Sequence, residues 1–137
     1  MAKRVFVSYD HSEDAHFRDL LRAWDANTDF DFEFDLRSPT VAIDSTAASV
    51  IQASLTKKMK ESEYILVIIG AKAYSSKWMK WEIERAKQAD TNLKFAAVKI
   101  RTNNTNPSGL PSTTAIADEF KLDKIEKALS SAKRSST

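Results

Sequence analysis

Tyr64-Ile65-Leu66-Val67-Ile68-Ile69 is an unbroken apolar run closed by Gly70. It shows no polar alternation, so neither face is built to meet water. A strand covered on both sides reads this way, and such strands sit in the middle of parallel sheets. Downstream, Ser75 or Ser76 can cap a helix over about residues 77–88, and Phe95-Ala96-Ala97-Val98-Lys99-Ile100 reads as another strand. Upstream, Ile43, Ala47, Val50, Ile51, Leu55 and Met59 recur at helical spacing, with Lys57, Lys58 and Lys60 at the end that favours cations. Phe30, Phe32 and Phe34 alternate with Asp31, Glu33 and Asp35. That is a strand with one wet face, placed towards a sheet edge. Val5-Phe6-Val7-Ser8-Tyr9 reads as a buried first strand. Phe17, Leu20, Leu21 and Trp24 mark the first helix, with Ser12 or Asp14 as its cap.

Beyond Ile100 the chain is rich in turns as far as Thr113. Only Thr113-Thr114-Ala115-Ile116-Ala117 offers a short last strand, before a helix marked by Leu122, Ile125, Ala128 and Leu129. The order β-α-β-α-β-α-β-loop-α predicts an α/β fold: one flavodoxin-like domain with a mainly parallel central sheet of about four to five strands and helices on both faces. The domain is expected over 1–130, with 131–137 a frayed tail. Ligands in such sheets bind beyond the C-terminal strand ends. The expected site therefore draws on residues 8–11, 35–40, 70–78 and the segment from Arg101 onward.

Composition removes several chemistries. A chain of 137 residues is one ordinary domain. It has no cysteine, which excludes disulfides, thiolate metal sites and cysteine nucleophiles. Two glycines, Gly70 and Gly109, cannot build a dinucleotide fingerprint or a P-loop. Two histidines, His11 and His16, cannot build a metal cluster, and no metal site is expected. A net charge of +2 gives no reason to expect nucleic acid as a partner. The longest apolar run is far short of the ~18–20 residues of a membrane span, so the expected location is cytoplasmic.

The densest chemical cluster is Tyr74-Ser75-Ser76-Lys77-Trp78-Met79-Lys80-Trp81-Glu82-Ile83, just past the central strand. Trp78 and Glu82 are four apart and share a helix face. A carboxylate beside an indole is partly desolvated, so its charge acts strongly on a bound cation. The competing reading makes the tryptophans core and Glu82 a surface charge.

Val5-Phe6-Val7-Ser8-Tyr9-Asp10 resembles the opening strand of a TIR domain, and Trp78-Met79-Lys80-Trp81-Glu82 resembles the Trp-x-x-x-Glu element on that family's third helix. With Ala2-Lys3-Arg4 before the first strand and Phe34-Asp35 after the second, the chain is most similar to the bacterial TIR-like proteins of the Thoeris anti-phage system. The resemblance covers about residues 3–100. It implies cleavage of NAD+ at the nicotinamide–ribose bond, giving ADP-ribose or a cyclic isomer that serves as an immune signal to a downstream effector. NAD+ is then a substrate and no cofactor is needed. Glu82 takes the catalytic position, at the mouth of the pocket. Ser8, Tyr9, Asp10, Phe34, Asp35, Tyr74 and Trp78 are expected to bind substrate. Phe34 and Asp35 begin the loop that in the family gates the site and mediates self-association.

Other readings of the same element order fit less well. A receiver domain needs a carboxylate at the end of the third strand, where Ile69-Gly70 stands. A flavodoxin needs a Ser/Thr-rich phosphate loop after the first strand, where the chain is acidic. A nucleoside deoxyribosyltransferase also sets a glutamate beside a ribosyl carbon. A TIR module acting by self-association alone is the rival outside enzymes.

Overall fold

The computed structural model describes residues 3–10, 15–25, 32–35 and 46–134. Within them the chain forms β1 (Lys3–Ser8), α1 (Ala15–Asp25), β2 (Phe32–Asp35), α2 (Ala48–Lys60), β3 (Tyr64–Ile69), α3 (Lys77–Ala86), β4 (Lys94–Lys99), β5 (Ala115–Ala117), α4 (Leu122–Ser130) and β6 (Lys133–Arg134). The strands run β2-β1-β3-β4-β5, and all of these neighbours are parallel. This is the flavodoxin-like strand order in a single α/β domain. β3 is the middle strand and all six of its side chains are buried, as the unbroken apolar run requires. β2 lies at the edge, with Phe32 and Phe34 buried and Glu33 exposed.

Alternation along the strands divides the core in two. Val5, Val7 and Tyr9 of the first segment join Tyr64, Leu66 and Ile68 on the face covered by α1 and α4. Phe6 joins Ile65, Val67 and Ile69 on the opposite face, under Leu55 and Met59 of α2 and Met79, Ile83 and Ala86 of α3. Helices therefore cover both faces. None is long and apolar enough to cross a membrane among the described residues.

Three local expectations change. The second helix begins at Ala48, and Ile43 lies outside the described residues. Val50, expected in the apolar stripe, is 72% exposed, because the buried line runs through Ala48, Leu55 and Met59 and residue 50 is turned away from it. Lys133–Arg134, expected in a frayed tail, pairs antiparallel with Lys94 and Phe95. β3 holds the other edge of β4 along its whole length, so β6 lies beside the short β5, which reaches only Ala96–Val98. A three-residue β5 leaves strand edge free, and the returning tail satisfies part of it.

The loop before β5 is tied to α3. Gly109 has φ +86°, a conformation that suits glycine, and its carbonyl accepts a hydrogen bond from Lys87 Nζ at 2.9 Å.

Candidate functional site

α3 starts after a single 3-10 turn, Ala73–Ser75. Ser76 is its N-cap, with Oγ accepting from the Met79 amide at 3.3 Å. That start fixes which side of the helix meets the sheet. The buried positions are Met79, Glu82, Ile83 and Ala86, a spacing of i, i+3, i+4, i+7. Glu82 thus occupies a core position, one that hydrophobic residues fill on either side.

β1 supplies its partner. Phe6 and Ser8 point to the α3 face, and Ser8 pairs across the sheet with Val67 of β3. The Ser8 hydroxyl donates to Glu82 Oε1 at 2.7 Å. Ser8 is 0% and Glu82 1% exposed, and they are the buried polar or charged side chains among the described residues. The expectation that Glu82 stands at a pocket mouth is therefore corrected: its carboxyl lies beneath the surface. Burial pushes that carboxyl up to about 8, against a smaller opposing effect of the Ser8 hydrogen bond. The group is mostly neutral at pH 7, and a cation brought beside it would favour its ionised form.

Trp78 and Trp81 flank this line. Both are half-buried against the α2–α3 core, with ring centroids 5.8 Å apart in an edge-to-face arrangement.

The other expected site residues are dispersed. Tyr9 and Phe34 are buried in the core on the α1–α4 side of the sheet, the face opposite Ser8 and Glu82. Asp10, just past β1, is half-buried. Asp35 is paired by its backbone with Phe6, and its side chain lies outside the description, as do residues 36–45 of the following loop. Tyr74 is 59% exposed in the turn before α3. The structure thus brings Ser8 and Glu82 together, with Trp78 on the same helix as Glu82. It separates Tyr9 and Phe34 from them.

A cavity of about 550 Å³ opens at the ends of β3 and β4, lined by Phe17, Gly70, Ala71, Ile100, Arg101, Asn103 and Asn104. It lies at the end of the sheet where this fold takes ligands. Arg101, Asn103 and Asn104 belong to the segment from Arg101 onward that the sequence places at the ligand end of the sheet. No group of His, Asp and Glu suited to a metal ion occurs among the described residues.

The sequence pattern of the family described as Thoeris protein ThsB, TIR-like domain, matches residues 6–105. The chain belongs to that family. The match runs from β1 through β4 and takes in Ser8, Trp78 and Glu82. It places the protein among TIR-like anti-phage defence domains. No curated protein matches the chain.

Proposed function

We propose that this TIR-like domain cleaves the bond between nicotinamide and ribose in NAD+. The observation that carries the reading is Glu82, a buried carboxyl with a serine hydroxyl as its hydrogen-bond partner and no described cation paired with it. Nicotinamide in NAD+ is already cationic. When the C1′–N bond breaks, the electron pair moves to the ring nitrogen and the ribosyl carbon takes on oxocarbenium character. A desolvated carboxylate is well suited to stabilise that positive charge. Water adding to C1′ gives ADP-ribose. Attack by another part of the same molecule gives a cyclic isomer. No general acid is needed for the leaving group, and no metal or cofactor enters the step.

Trp78 supports the reading as an aromatic wall on the same helix. A cytoplasmic location, self-association through TIR contacts and a diffusible nucleotide product acting on an effector belong to the same proposal. Nucleic acid and membrane are not partners in it.

The test is incubation with NAD+ from nanomolar to high micromolar protein, followed by mass analysis. Release of nicotinamide with ADP-ribose or an isomer is expected, with the rate per chain rising with concentration. No nicotinamide at any concentration, even in crowded solution or with extract of phage-infected cells, contradicts the reading. A second reading, a TIR module that works by self-association alone, is favoured by the short edge strand β5 and its 41% exposed Ile116. It takes over if NAD+ is never consumed.

A further inference from the structure

We propose that Ser8 is a positioning residue acting through Glu82: its hydroxyl orients the carboxyl group and stabilises its charged state, and does not itself touch the substrate. A serine hydroxyl has one proton to donate. When Glu82 is ionised, a hydroxyl 2.7 Å from its Oε1 gives that proton to the carboxylate and cannot also donate it to a ribose oxygen. The backbone beneath it is held by β3, with Ser8 in register with Val67, while β2 pairs with β1 over Lys3–Phe6. Glu82 is anchored on its own side by the capped helix α3. Both side chains are buried, which strengthens a hydrogen bond to a charged acceptor and makes its loss costly.

Among the described residues, Ser8 is the side chain hydrogen-bonded to the Glu82 carboxyl. β3 presents Val67 and Ile69 to this face. On α3, Lys77, Lys80 and Glu84 are exposed, Lys87 just past it pairs with Glu84 at 2.9 Å, and Arg85 is engaged by Asp90 at 2.7 Å. Asp10, two residues beyond Ser8, is half-buried. Burial raises the Glu82 carboxyl and the Ser8 hydrogen bond lowers it, with no charged side chain among the described residues contributing.

The experiment is a ¹³C NMR titration of the Glu82 carboxyl in the full chain, assigned by difference from Glu82→Gln, in wild type, Ser8→Ala and Ser8→Thr. The Ser8→Ala midpoint should rise by about one pH unit, the size expected for losing a hydrogen bond to a charged group. Ser8→Thr, which keeps the hydroxyl, should restore it. A folded Ser8→Ala protein with an unchanged midpoint overturns the proposal. If that variant does not fold, the wild-type protein decides. Its Ser8 ¹³Cβ resonance should shift with the same midpoint as Glu82, and a Ser8 signal flat from pH 5 to 10 overturns the contact. A second arm rests on the NAD+ reading: the pH profile of kcat/KM should move with the NMR midpoint. Absence of any NAD+ cleavage would count against that reading alone, because the titration needs no activity.

Discussion

Two carboxyl groups near α3 live under opposite conditions. Glu82 faces the sheet, 1% exposed and with no cation paired to it among the described residues, and burial pushes its carboxyl up to about 8. Asp90, just past the helix, is held by Arg85 through two hydrogen bonds of 2.7 and 2.8 Å and by Lys60 at 3.5 Å. The guanidinium holds its carboxyl well below the usual range. The Asp90 cluster has the look of strong chemistry, with three charges in contact. It is solvated and its one carboxylate is already paired with two cations, so it contributes little. Glu82 has the Ser8 hydroxyl as its hydrogen-bond partner and no matching charge among the described residues. An unmatched buried carboxyl is poised for a cation that arrives from outside.

The sharpest way to separate the two is stability against pH. The folded protein keeps the Glu82 proton between the ordinary carboxyl value of 4.5 and about 8, whereas the unfolded chain releases it. Unfolding therefore releases a proton across this window, and stability falls as pH rises through it, by up to about 1.4 kcal/mol per pH unit. Glu82→Gln mimics the protonated form, so it should melt like wild type at pH 5 and above it at pH 8–9. Parallel melting curves for the two proteins would place Glu82 in water. For Asp90 the sign reverses. Its contribution is present above about pH 4 and is lost as pH falls further, outside that window.

A smaller effect is expected at Trp78. Truncation to alanine removes a half-buried aromatic surface, so it should cost about 1–3 kcal/mol and also lower activity. A Trp78→Ala protein with wild-type melting and turnover would leave the indole without a part in either packing or site. The smallest effect belongs to Asp90→Asn. Melting at neutral pH should barely change, the difference should vanish in 1 M salt, and NAD+ turnover should stay at the wild-type level. A large drop in turnover would move the functional centre to the exposed end of α3.

The sheet was legible because its strands carry their burial in their patterns. The apolar run at 64–69 reads as a central strand, and the alternation of Phe30, Phe32 and Phe34 with acidic residues suits an edge strand, as Phe32–Glu33–Phe34 shows. β6 was not legible, because two charged residues pair there through backbone groups that leave no mark on side-chain pattern. Within the site, Glu82 was recognised by its spacing from Trp78, yet its burial was missed. The sequence reading makes the carboxylate partly desolvated beside an indole at a pocket mouth, whereas it lies fully beneath the surface. The signal was present in the i, i+3, i+4, i+7 line of Met79, Glu82, Ile83 and Ala86. Parity along β1 likewise sets Ser8 and Tyr9 on opposite faces, which a site drawn from consecutive residues overlooks. The Ser8–Glu82 contact joins residues 74 apart in sequence, and only the parallel β1–β3 pairing brings them together.

In the proposed reaction Glu82 supplies the negative charge that stabilises the ribosyl cation. The most direct test is nicotinamide release from NAD+ by wild type and Glu82→Gln side by side, at a pH where both are shown to be folded. The account predicts a loss of about 10²–10³-fold in rate for the variant. A folded Glu82→Gln protein that releases nicotinamide at the wild-type rate would contradict it.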